Sequence, residues 1–268
     1  MKTSSLVRSL ALTLLLIPAC EKAPPPPEGM VSVPAGDFIM GSDKIDTEGL
    51  AAEYGMRRQL YADEHPRHNR RLPLFYIDLI EVTNAQYKLY VDATGSPPPR
   101  SWPNGIFPVQ RANYPVTTVS WYDADHFCTW NKKRLPTEAE WEKAARGVDG
   151  REYPWGNEYR KDFANMGDSG VGDLLPVGSY EKGRSPYGAY DMTGNVWEWT
   201  ADWYQPYPGS EAKNNDFGEK NRVLRGGSYG GVGHYTLKAF YRIPYRFYSE
   251  PLGTFQDVGF RCAKTPGR

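Results

Sequence analysis

The sequence predicts a single α+β domain that is poor in regular secondary structure, and three observations carry that expectation. The 268 residues include 27 glycines and 23 prolines, well above their combined average usage of roughly 12 %, so turns should dominate the backbone. The 19 tyrosines and 8 tryptophans supply large buried areas at few residues each, which suits a fold held by packing more than by long ladders. Three helix starts with capping signals stand among short strand-like runs, and neither an internal repeat nor a second domain boundary interrupts them. The 32 basic and 32 acidic residues balance, so nothing points to a nucleic-acid partner or a membrane-surface binder.

Residues 1–19 read as an export signal. Lys2 and Arg8 precede an apolar run from Leu10 to Ile17 that is too short to span a bilayer. The run ends at Ile17-Pro18-Ala19-Cys20, which resembles a bacterial lipobox with Cys20 as the lipidated residue; the alternative is a plain secretory signal cleaved nearby. Residues 20–29, with Pro24 to Pro27, read as a polyproline tether holding the domain of residues 30–265 off the membrane. The expected location is therefore exported, periplasmic or cell-envelope, with the membrane contacted through the anchor.

Val31 to Met40 alternates weakly and reads as one strand, and Leu72 to Ile80 as another. Residues 43–64 are polar and interrupted, which predicts a surface excursion. Thr83 with Gln86 forms a capping box, Tyr87, Tyr90 and Val91 make an apolar face, and Gly95 stops the helix. Ser120 should cap a second helix with Ala124, Phe127 and Cys128 inward. Thr137 with Glu140 opens a third, burying Trp141, Ala144 and Ala145 and closing at Gly147. Short strands are expected around 223–225 and 259–262, with a hydrophilic loop at 205–221.

The stretch from Tyr187 to Trp203 holds Trp197, Trp199 and Trp203 beside Asp191, Glu198 and Asp202, and neither a helical nor a strand period survives along it. Packed indoles beside carboxylates suggest a rigid irregular segment. Its acids and carbonyls suit a hard cation, with Asp191 and Glu198 as charged oxygens and a turn at Thr193-Gly194-Asn195. The alternative is an aromatic core segment whose acids are satisfied by hydrogen bonds.

The motif Tyr187-Gly188-Ala189-Tyr190-Asp191-Met192-Thr193-Gly194-Asn195-Val196-Trp197-Glu198-Trp199 resembles the signature of the formylglycine-generating enzyme, or sulfatase-modifying factor, family. Blocks at 30–42, 77–84, 134–142, 153–157, 225–229 and 259–262 match in the family's order. The resemblance implies a compact α+β domain related to the C-type-lectin-like fold. It implies a structural calcium site at Asp191, Gly194, Val196 and Glu198. A first site would open with Asn165 and Met166 and continue to Asp168 or Asp173. It also implies a disulfide between Cys128 and Cys262, against the alternative of two separate buried thiols.

The family's oxidases bind copper through two cysteines, at positions that correspond here to Gly231 and Thr236. Soft Cu(I) needs thiolates, so no copper is expected and the copper-dependent oxidation of a substrate cysteine is not supported. Trp197 and Ser228 match residues lining the oxidase pocket, and Tyr229, His234 and Tyr235 would join them in a remodelled cleft. His234 is otherwise structural or at the surface, as are His65, His68 and His126. Two functional expectations follow. One is an envelope binding or accessory module with a protein or peptide partner. The other is a periplasmic maturation enzyme with non-copper oxidative chemistry, like the family's siderophore-maturation and reductase-assembly homologues.

Overall fold

The computed structural model describes residues 25–56, 59–230 and 237–267. The expected strand at 31–40 is two strands, β1 (Met30–Val33) and β2 (Gly36–Met40). Pro34 between them offers no amide to a ladder, and the two strands find different partners. β2 pairs antiparallel with β3 (His68–Leu72), placing Phe38 opposite Arg70. β1 pairs with β4 (Phe75–Asp78), placing Val31 opposite Ile77. The expected strand at 72–80 is thus confined to β4, because Pro73 ends the preceding ladder.

Residues 43–64 correct the surface expectation. They include α1 (Leu50–Glu53) and exposed positions, but Leu60, Tyr61, Asp63 and Glu64 are buried. Charge pairing draws them in. Glu64 accepts from Arg242 Nη1 at 2.9 and 3.0 Å and from Ser42 Oγ at 2.6 Å, while Asp63 accepts the Tyr204 hydroxyl at 2.5 Å.

α2 (Asn84–Thr94), α3 (Trp121–Trp130) and α4 (Glu138–Arg146) start at Thr83, Ser120 and Thr137, each through a reciprocal capping box. Gly95 takes the left-handed φ of 71° that closes α2. α4 is buried along its whole length, beyond the expected apolar face. Its charges are matched inside: Glu138 accepts from Arg246 at 2.7 and 2.9 Å and from Arg225 at 2.9 Å, and Glu142 from Arg225 at 2.5 Å and Arg146 at 2.8 Å. Buried ions persist only in such pairs.

A four-stranded sheet runs β7 (Phe247–Ser249), β6 (Arg222–Arg225), β5 (Trp197–Trp203) and β8 (Val258–Gly259), with β8 parallel to β5. The signature stretch, expected to be irregular throughout, therefore becomes a central strand from Trp197. Residues 191–200 are all buried, so both faces of the strand are covered and no alternation marks it. Residues 259–262, expected as one strand, carry the chain from β8 to β9 (Ala263–Lys264), which pairs with β4. Gly259 permits this crossing, since a Cβ there would lie 2.7 Å from the Val116 carbonyl oxygen. Cys262 is bonded to Cys128 of α3, with Cα atoms 5.7 Å apart. Around this crossing Tyr87 stacks on Phe127 and Phe260 meets Phe127 edge-on, forming the main aromatic core.

Candidate functional site

The loop leading into β5 is a chain of left-handed turns: Asp191, Gly194 and Asn195 have φ of 56°, 81° and 59°. Gly194 is required there, because a Cβ would sit 2.3 Å from the Asn165 carbonyl oxygen. Asn195 ties three segments together. Its Nδ2 donates to Glu81 Oε1 at 2.9 Å, its Oδ1 accepts from Leu175 N and Asn165 Nδ2 at 3.1 Å, and its carbonyl accepts from Tyr229 N at 2.9 Å.

Three buried carboxylates gather behind this loop. Glu198 is fully committed, taking Arg261 Nε at 2.7 Å, Arg261 Nη2 at 2.6 Å and the Trp141 indole N–H at 2.8 Å. Asp191 Oδ2 accepts from Gly178 N at 2.6 Å. Glu81, from the segment before α2, is wholly buried and its Oε2 has no hydrogen-bond partner. Burial first, and then the neighbouring Asp191, push Glu81 well above the usual carboxylate range; burial likewise raises Asp191. The charge balance suits a cation. No three His, Cys, Asp or Glu side chains cage an ion by themselves among the described residues, so main-chain oxygen or water would complete any such site.

At the expected first site, Asn165 donates to the Asp173 carbonyl at 2.9 Å, and Met166 accepts from Ser169 N at 2.9 Å through its carbonyl. Asp168 accepts the Tyr159 hydroxyl at 2.5 Å, and Asp173 pairs with Arg111 at 2.6 Å. Asn165 thus locks the 165–175 loop onto the signature loop, Met166 closes a turn within it, and both acids have protein partners.

The cleft residues meet beside this loop, at the start of β5. Ser228 Oγ donates to Asp257 Oδ2 at 2.8 Å, and the Asp257 carbonyl accepts from Trp197 N at 2.9 Å. Burial raises the Asp257 carboxyl, and raises the half-buried Tyr229 phenol beside it. The Trp197 indole N–H is buried without a partner. Its ring packs on Phe247 and Tyr245 at 5.1 and 6.0 Å. Those two rings, with Tyr248, floor a groove of about 1040 Å³ walled by Met56 and Gln59 on one side and Asn214 and Phe217 on the other.

Residues 17–266 match the family model described as sulfatase-modifying factor enzyme 1-like domain. The chain belongs to the sulfatase-modifying factor family. It is 32% identical to the formylglycine-generating enzyme of Bos taurus over 90% of this chain and 75% of that protein. It is 31% identical to the inactive C-alpha-formylglycine-generating enzyme 2 of Mus musculus, over 97% of this chain and 93% of that one. In structure it is similar to PvdO from Pseudomonas aeruginosa, with a TM-score of 0.66 at 27% identity, covering 88% of this chain and 93% of that one.

Gly231, His234, Tyr235 and Thr236 of the sulfatase-modifying factor cleft lie outside the described residues, as do the signal segment and Cys20. His65 and His68 lie in the 43–72 region, where His68 Nδ1 is 2.8 Å from the Pro66 carbonyl, and His126 is exposed on α3. None of the three joins the Ser228 cluster. Two site residues were missed from sequence. Glu81 stands within the matching 77–84 block but was not separated from its neighbours. Asp257 precedes Gly259 by two residues, and only the parallel β5–β8 pairing brings it under Ser228.

Proposed function

We propose that the chain is an exported, lipid-anchored binding or accessory module of the cell envelope that lacks copper-dependent formylglycine chemistry. The distribution of its three cysteines carries this reading. Cys128 and Cys262 are bonded to each other, Cys20 sits in the lipobox-like sequence, and the positions that correspond to the copper thiolates are Gly231 and Thr236. A glycine and a hydroxyl make no soft site for Cu(I). The aromatic groove beside Trp197 supports a protein or peptide partner, since rigid rings give large contact area at low entropic cost. Calcium would be structural, at the 191–198 loop, where the acid surplus supports it, and at Asn165 and Met166.

Competition for Cu(I) against a chromophoric chelator tests the reading. The wild-type domain should take none, and the double substitution Gly231→Cys with Thr236→Cys should take one equivalent. Stoichiometric Cu(I) on the wild type would contradict it. Cys20→Ala should move the protein from the membrane to the soluble envelope fraction.

The part-buried Ser228–Asp257 pair next to Tyr229 favours the second reading, a periplasmic maturation enzyme with non-copper chemistry. Under that reading a co-purified partner should change mass on incubation with wild type and not with Asp257→Asn.

A further inference from the structure

Carboxyls raised by burial have a cation or an N–H donor beside them, with one exception. Glu64 faces Arg242, Asp78 faces Lys133 at 2.5 Å, and Asp202 accepts from the Glu138 amide at 2.6 Å. Glu81 and Asp191 each take an N–H, from Asn195 and from Gly178. The exception is Asp257, in the cleft. Beyond its own amide its carboxyl takes only the Ser228 hydroxyl at 2.8 Å, and no Arg, Lys or His pairs with it among the described residues. Burial pushes the group up, as expected of an anion short of a counter-charge. The groups around it are mostly acceptors. The Gly230 carbonyl lies 3.4 Å from the same Ser228 Oγ, which places that oxygen beside the carboxyl. The half-buried Tyr229 phenol is a further neighbour, raised by burial first and then by the Asp257 charge. Nearby main-chain donors are already committed: Tyr229 N donates to the Asn195 carbonyl and Trp197 N to the Asp257 carbonyl. A guest at this point must bring donors and positive charge.

We propose that Asp257, with the Gly230 carbonyl and the Tyr229 phenol oxygen, forms a binding site for a primary ammonium group. The inference rests on the reading of this cleft as a binding site and names the chemistry that its ligand carries. An ammonium is a compact charge with three donors and no acceptor, which suits a cluster of acceptors. A guanidinium fork seeks both oxygens of a carboxylate, and here Ser228 already holds Oδ2. A lysine side chain of a peptide partner and a free alkylamine both present the required group.

Saturation-transfer NMR on the full mature protein tests this with n-butylammonium, the uncharged n-butanol and Nα-acetyl-lysine methylamide. Wild type should transfer saturation to both amines and not to butanol. Asp257→Asn should weaken amine binding by about tenfold or more, the usual cost of losing a hydrogen bond to a charged group. It should melt no lower than wild type, because it removes a buried charge that has no partner. If Asp257→Asn folds poorly, Tyr229→Phe should still weaken both amines without lowering the melting temperature. Tighter binding of the lysine derivative than of butylammonium would support the site and assign its ligand to a peptide. Equal binding would support it and assign a free amine. Equal transfer to butanol and butylammonium, or amine binding by folded Asp257→Asn at wild-type affinity, would overturn the ammonium site and leave the cleft a binding site. Transfer to none of the probes would also overturn it, while the Cu(I) competition decides the wider reading separately.

Discussion

Arg261 is the guanidinium behind the signature loop. It is wholly buried, bridges the carboxylate of Glu198 and the carbonyls of Asp78 and Tyr190, and is flanked by Glu81 and Asp191, which further favour its charged form. Removing it would strand the Glu198 carboxylate, and breaking one side of a buried pair costs about 3–5 kcal/mol. Arg261→Met should therefore lower stability by that order in urea unfolding. Glu142 sets the acid limit. Burial alone would lift its carboxyl, but Arg225 and Arg146, with the Gly41 N–H, outweigh it and hold it below its ordinary value of 4.5. A depressed folded value means its contribution is complete above pH 4.5 and is lost as pH falls through the folded value. Melting temperature should accordingly drop steeply below about pH 4.5. Glu142→Gln should lower stability at neutral pH and flatten that acid limb.

At the scale of elements, the three long helices were legible because their signals are local. Thr83, Ser120 and Thr137 each sit three residues before a side chain that returns the cap hydrogen bond. Thr137→Ala should cost about 1 kcal/mol, readable as a lower melting temperature with an unchanged spectrum. The strands were less legible for an equally physical reason. β5 is covered on both faces, so Trp197, Glu198, Trp199 and Thr200 show no period; β3 reads as charged because it lies at an edge of a two-stranded sheet. The site divides the same way. Asp191, Gly194 and Glu198 stand in one motif, whereas Glu81 enters through its hydrogen bond from Asn195 and Asp257 through the β5–β8 pairing, which no local spacing encodes.

The whole molecule is closed by the bond between Cys128 and Cys262, 134 residues apart. In the chain-entropy account a loop of that length is worth about 4–5 kcal/mol. Reduction under native conditions should thus lower the unfolding midpoint. Alkylation of two free thiols before reduction would contradict the pairing. That bond also removes the domain's remaining thiols from chemistry, which joins the molecule's stability to its proposed function. The most direct test of that function is mass spectrometry of a peptide containing Cys-x-Pro-x-Arg after incubation with purified protein, copper and oxygen. The peptide should emerge unchanged. Conversion of its thiol to the aldehyde above a protein-free control would contradict the loss of formylglycine chemistry.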